Sequence, residues 1–391
     1  MGNIDHDAVL RARVLLLGSG RLSDWEEVLA YRVLAEVSPK AYLPKLVDGL
    51  LLASYRSRDP RVDLSLATEA VGAARRITDD VPGRVERLRR ALDARQRALF
   101  ALGRRAEGRA VCEELAGAGQ GERLARALAE EGRFAEAAEL CGKVARSGPA
   151  VPSFWDMTAW AAALEGAGRH GEALEVFGEL VEETRRKAAG QESPLGGFAW
   201  ELVHHSRMYD TAGRPKEAAA ARQEALTVFS GLAAHGEPRS WSSGLSSWVT
   251  LFTLSGRADE PAATPEDPRP PFGSVVLHWA VDTRKAFFDE LPALEERAAR
   301  LGADGRLPEL VDVRRRIAVR VVSRDGDRPY RLRERLGPFF DEGVDLARQL
   351  PGDSVRLARA LTDRAMFSVA LGSFVPAHAD LAEAVAILGG P

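Results

Sequence analysis

The sequence predicts an all-α protein, a right-handed α-solenoid of stacked antiparallel helical hairpins, and three observations carry that prediction. A Gly-Arg-x-x-acid segment recurs seven times along the 391 residues. A large apolar residue stands four positions before each of those glycines. The stretches between them place apolar residues at helical spacing, with proline and glycine at their ends.

The repeated segment begins at Gly20, Gly103, Gly132, Gly168, Gly213, Gly256 and Gly305, whereas composition alone predicts about 0.6 occurrences. Its residue types fit a turn between two antiparallel helices. Glycine takes the left-handed conformation that ends the first helix, and the acid lies in the first turn of the second. The apolar residues before the turns are Leu16, Leu99, Leu128, Leu164, Tyr209, Phe252 and Leu301, one helical turn upstream, where a core contact belongs. Five positions after the turn come small residues in the middle repeats (Gly108, Ala137, Ala173, Ala218), and four further on come Cys112, Cys141, Phe177 and Arg222.

This pattern resembles the tetratricopeptide repeat, in which an apolar residue precedes a turn glycine and Ala-x-x-x-Phe follows on the second helix, in a period of roughly 34 residues. Gly132 and Gly168 match best. Successive glycines are 29, 36, 45, 43 and 49 residues apart from Gly103 to Gly305, with 83 before and 67 after, up to a degenerate turn at Gly372-Ser373. The two long gaps read as two repeats each. Spacings above 40 imply helices about two turns longer than the consensus, as in long-helix bacterial variants of the family.

The organisation follows from where the pattern starts and fails. Residues 1–80 read as N-terminal hairpins, with Ser23 and Asp24 capping a segment through Val33 and turns at Pro60, at Asp79-Asp80 and at Pro82. Residues 81–260 are the repeat array. Five prolines in residues 261–273 (261, 265, 268, 270, 271) exclude a helix and predict a linker. Residues 274–391 read as five or six further helices with degenerate repeats, the last from about Pro376 to Leu388; residues 315–322 also admit a strand.

Composition narrows the function classes. A net charge of −3 gives no global field for nucleic acid, which is disfavoured as a partner, and the balance of 45% hydrophobic and 28% charged residues is that of a soluble fold. No apolar run is long enough to span a bilayer, so no membrane partner is expected. Met1 to His6 lack a signal pattern, and a cytoplasmic location is expected.

Candidate chemistry mostly resolves into packing. Cys112 and Cys141 share one repeat position, nine after the turn glycine, which makes them core hydrophobes. His204 and His205 are adjacent and so cannot share a helical metal face, and His205 falls eight before its glycine, as Trp160 and Trp248 do before theirs. Gly18-Ser19-Gly20 lacks the lysine and third glycine of a phosphate loop. No metal, cofactor or catalytic residue is expected. The run from Arg314 to Arg335 holds nine arginines against three acids, and Arg314, Arg315, Arg316 and Arg320 form a candidate basic patch.

The resemblance implies a concave groove lined by the first helix of each hairpin. Carried over, its positions are Trp155, Thr158, Ala162 and Glu165 before Gly168, and Trp200, Val203, Arg207 and Asp210 before Gly213, with Arg97, Phe100 and Arg126 in earlier repeats. Tryptophans beside arginines and acids suit a peptide. The expected function is a non-enzymatic scaffold or regulatory adaptor for a partner protein or peptide, with homodimer formation also open. A peptide- or metabolite-sensing regulator and a helical-solenoid enzyme with an apolar pocket remain alternatives.

Overall fold

The computed structural model describes residues 5–18, 22–147, 152–239, 244–326 and 332–389, and among them the chain is helical without a strand. The helices are α1 (His6–Leu17), α2 (Asp24–Val37), α3 (Pro39–Arg56), α4 (Pro60–Arg76), α5 (Arg84–Ala101), α6 (Arg105–Gly117), α7 (Glu122–Glu130), α8 (Phe134–Ser147), α9 (Phe154–Gly166), α10 (His170–Ala189), α11 (Leu195–Thr211), α12 (Pro215–His235), α13 (Gly244–Ser255), α14 (Val281–Asp289), α15 (Leu291–Ala303), α16 (Leu307–Asp325), α17 (Leu332–Arg348), α18 (Ser354–Ala370) and α19 (Phe374–Leu388). Residues 315–322 lie inside α16, so the strand alternative is excluded.

Five of the repeated segments fold alike. Gly103, Gly132, Gly168, Gly213 and Gly305 have φ between 66° and 75°, the left-handed conformation that glycine adopts without strain. The N–H of the arginine that follows donates to the carbonyl of the apolar residue upstream, as Arg169 does to Leu164 and Arg104 to Leu99, both at 2.9 Å, which closes a Schellman turn. Each arginine then clips the acid three residues on, at 2.5–2.8 Å, from Arg104–Glu107 to Arg306–Glu309. The next residue's N–H makes the first α-helical bond back to the arginine carbonyl, as Ala173 does to Arg169 at 3.0 Å. Gly372 repeats the backbone geometry with Ser373 in the arginine's place. Gly20 lies outside the described residues.

Gly256 is different. Its φ is −85°, Arg257–Asp259 form one 3₁₀ turn, and Glu260 is extended. Pro261 stands where the other repeats supply the N–H of the first helical bond, and proline has none.

The chain divides into two compact units, Met1–Ala127 with Ala280–Asp282, and Leu128–Trp279 with Thr283–Pro391. In the first, each of α1 to α6 packs on its sequence neighbour, around a core that includes Leu43, Val47, Leu50, Leu66, Val71 and Leu99. Ser23 caps α2 in a reciprocal capping box with Glu26. Phe100 lies edge to the Cα of Gly108, where a Cβ would come within 3.1 Å of the ring, so the small residue after the turn is a packing requirement.

In the second unit α8 to α12 and α15 to α19 pack in order, but α12 also meets α19, and α11 and α13 meet α18. Trp248 stacks near Phe252 at 6.0 Å, Phe340 stacks on Phe367 at 4.5 Å, and the indole N–H of Trp200 donates to the Met366 carbonyl at 3.1 Å. Truncating one such buried aromatic costs roughly 3–5 kcal/mol. The segments 81–260 and 274–391, expected to flank a linker, both contribute to this unit. These aromatic contacts join the two segments in one core, and residues 261–273 lie inside that unit.

Candidate functional site

The groove positions on α9 form one stripe, at helical spacing, from Trp155 through Thr158 and Ala162 to Glu165. Trp155 is 36% exposed and packs edge-on against Phe154 at 4.9 Å. The rest of the stripe is covered by the chain that follows Gly256. Arg257 donates to the Ala162 carbonyl at 2.5 Å and to Glu165 at 3.1 Å. Gly273, at φ 93°, crosses the helix so closely that a Cβ would stand 2.5 Å from that of Ala162 and 3.1 Å from the Thr158 carbonyl. Burial pushes the Glu165 carboxyl up against the pull of Arg257, and burial lowers the Arg257 pKa against the pull of Glu165.

After the 3₁₀ turn at Arg257–Asp259 the chain runs to Gly273 without helix or strand. Its tip, residues 264–267, is exposed and closed by the Thr264 N–H donating to Asp267 and the Asp267 N–H donating to the Thr264 hydroxyl. The Arg269 N–H donates to the Glu130 carbonyl at 2.9 Å, and its guanidinium meets Glu290 and Asp267, each at 2.5 Å. Phe272 is buried against Trp279 and Phe287, with ring centroids 6.2 Å from each. The carbonyl of Ala263 passes the turn at Gly132, where a Cβ would come within 2.2 Å.

The α11 positions are interior, which corrects their reading as surface. Trp200 is fully buried, Val203 is 2% exposed, and Arg207 pairs with buried Asp363 at 2.6 Å. Asp210 alone is at the surface, holding Arg222 at 2.6 Å. Thr158 is likewise buried. On α11 the Trp200 indole and the Arg207 guanidinium are engaged by Met366 and Asp363 of α18, whereas Thr158 on α9 lies under Gly273. In the first unit Arg97 is exposed beside Asp93 on its own helix, Phe100 is 3% exposed against Gly108 and Arg105, and Arg126 is half-buried.

The candidate basic patch is also internal. Arg320 is fully buried between Glu260 at 2.6 Å and the Phe287 carbonyl at 3.1 Å, with Glu290 also against it and the Phe287 ring 4.2 Å away. Arg315 bridges Asp259 at 2.6 Å and Asp363 at 2.8 Å, Arg316 pairs with Glu260, and Arg314 with Glu342 at 3.0 Å. Burial works against Asp363, but Arg315 and Arg207 outweigh it and hold its carboxyl below the usual range. Counting charge along the chain could not reveal this, because the balancing acids come from 28 to 60 residues away.

A cleft of about 590 Å³ in the second unit is lined by Asp259, Asp312, Asp353 and Glu309 facing Arg316, Arg356 and Arg359. Arg356 takes both Asp312 and Asp353, and Arg359 takes Asp312 at 2.8 Å. Arg356 and Arg359 keep Asp312 below its ordinary value against its burial, and the backbone N–H of Arg356, then its guanidinium, keeps Asp353 below its own, so neither holds a proton for general-acid work near neutrality. Elsewhere in the unit, burial raises Glu201 to about 8 and lowers His204 to about 3 and His205 to about 4. The two histidines pack against Phe177, at 5.1 and 5.8 Å, as core residues.

Sequence reasoning missed Arg257, Arg269 and Gly273. The signal was present: an arginine and an aromatic residue inside the stretch taken for a linker, with Arg257 just before it. No protein-family model matches this chain, and no curated protein is significantly similar to it.

Proposed function

We infer that the protein is a non-enzymatic interaction scaffold, a right-handed, tetratricopeptide-like array that serves as a regulatory adaptor in the cytoplasm. Its binding face is the α9 stripe, and its ligand is an extended segment of a partner protein. One observation carries this reading: the stripe already accommodates non-α-helical chain, seated through the side chain of Arg257 in its single 3₁₀ turn on Ala162 and Glu165, and through Gly273, which has no secondary structure around it, over Thr158 and Ala162. That is how a helical groove takes a peptide, with charge-assisted bonds at fixed points and close backbone approach between them. Trp155 adds rigid aromatic area at the exposed end of the stripe. The arginine-occupied carboxylates of the 590 Å³ cleft favour this over an enzyme.

A random peptide library panned against the full chain and against its Gly273→Ala variant tests the assignment. Extended sequences should be recovered whose affinity falls at least about tenfold with Trp155→Ala. No consensus from either protein, or binding indifferent to Trp155, would overturn it.

A further inference from the structure

Resting on that reading, we propose that residues 261–273 are a built-in occupant of the face formed by α9, the end of α7 and the neighbouring Phe287 and Glu290, and that the partner they stand in for is a peptide without helix or strand that has the chemistry of residues 269–273: an arginine, two prolines, an aromatic residue and a glycine in succession. Each residue type is demanded by what it meets. The Arg269 N–H satisfies the Glu130 carbonyl at the last residue of α7, a position where a helix leaves carbonyls without internal partners. Its guanidinium takes Glu290. Pro270 and Pro271 are buried and bring no N–H that would need a partner there, and their fixed φ suits the two tight turns that the Phe272 N–H closes on the Pro270 carbonyl at 2.8 Å and the Ser274 N–H closes on the Pro271 carbonyl at 3.2 Å. Phe272 enters the edge-to-face cluster of Trp279 and Phe287. At the fifth position only glycine passes, because its φ is positive and Ala162 stands where a Cβ would go.

The stretch is also built to come away. It has no helix or strand holding it, its tip at 264–267 is in solvent, and few backbone hydrogen bonds fix it beyond the one to Glu130. Asp259 and Glu260, which precede it, are locked to Arg315, Arg316 and Arg320 and form a fixed base for release. A tethered occupant competes at an effective concentration in the millimolar range, so an incoming peptide meets a site free for only a fraction of the time, and its apparent affinity falls by that fraction. Binding of the partner is thereby coupled to release of the tip.

The probe is a fluorescent synthetic peptide of residues 261–274, titrated into the full-length wild type and into Arg269→Ala and Gly273→Ala. Arg269→Ala leaves Glu290 to Arg320 and Arg316, and Gly273→Ala changes no charge, so the two variants loosen the occupant by different means. Both should bind the probe at least about tenfold more tightly than wild type. A probe with alanine at its penultimate position, the equivalent of Gly273, should lose binding to both. In the wild type, saturating probe should speed hydrogen exchange at the Arg269 amide, a readout that does not depend on either variant folding. Equal affinity for all three proteins, or an unchanged Arg269 amide, overturns the proposal. Should the probe bind none of them while library peptides bind in a Trp155-dependent way, the binding face stands and this occupant assignment falls. Should neither probe nor library peptide bind, both fall together.

Discussion

The turns at Gly168 and Gly256 begin with the same residues, glycine, arginine and a glutamate four positions on, and they fold in opposite ways. At Gly168 the glycine is left-handed, Arg169 clips Glu172, and α10 starts. At Gly256 the glycine is right-handed, Arg257 turns to Glu165, and Glu260 takes Arg316 and Arg320. The difference lies one residue beyond the shared pattern, where Ala173 donates the first helical hydrogen bond and Pro261 has no N–H to donate. The pattern therefore encodes a turn only when the next residue can close the helix. Without it, the same charged side chains are free for distant partners.

The sharpest way to break this contrast is to remove the two glutamates. Glu260→Ala leaves fully buried Arg320 with part-exposed Glu290 as its remaining carboxylate, and should cost about 3–5 kcal/mol in urea unfolding. Glu172→Ala, at the equivalent position, should leave the midpoint within replicate scatter, because its ion pair is solvated. Equal losses would show that the two turns are not energetically distinct.

A second test sets a buried carboxylate that has arginines against one that has none. Burial works against Glu260, but Arg320 and Arg316 hold it below the usual range, while burial carries Glu201 up to about 8. For Glu201 the unfolded chain releases its proton near pH 4.5 and the folded chain near 8, so wild-type stability falls as pH rises through that window. Glu201→Gln removes the loss. Its stability relative to wild type should grow by about 2–4 kcal/mol between pH 5 and pH 8.5, measured by urea titration at each pH. A difference independent of pH would refute the assignment.

The smallest effect separates the glycines themselves. Gly168→Ala should cost about 1–2 kcal/mol through left-handed strain alone, since no atom lies within 4 Å of its added Cβ. Gly256→Ala meets no such strain, but its methyl would lie 2.8 Å from Val319. It should cost about 1–2 kcal/mol through overpacking. A double-mutant cycle with Val319→Ala should couple to Gly256→Ala and leave Gly168→Ala unaffected.

What was readable in advance was local. Five of the seven turn glycines, the small residue at Gly108 and the burial of Cys112 follow from helical geometry and repeat spacing, and the structure has them. The capping of α2 by Ser23 was legible for the same reason. Unreadable were the pairings across long separations: Trp200 with Met366, Arg207 with Asp363, Arg320 with Glu260. A surface residue and a buried one carry the same letter, and only the second segment, arriving from far along the chain, decides which it is. Residues 261–273 show the limit most clearly. Their prolines correctly excluded a helix, but excluding a helix does not make a segment a linker.

The Trp200 indole bond to Met366 spans 166 residues. In a simple hairpin array each repeat leans only on its neighbours, and unfolding can fray from an end. Here α11 and α13 are held by α18, so the second unit cannot lose its last helices without exposing the centre of its core. It is expected to open as one cooperative block, with hydrogen exchange in α11, α13 and α18 converging on a single free energy, whereas α1 to α6 exchange in steps from α1 inward.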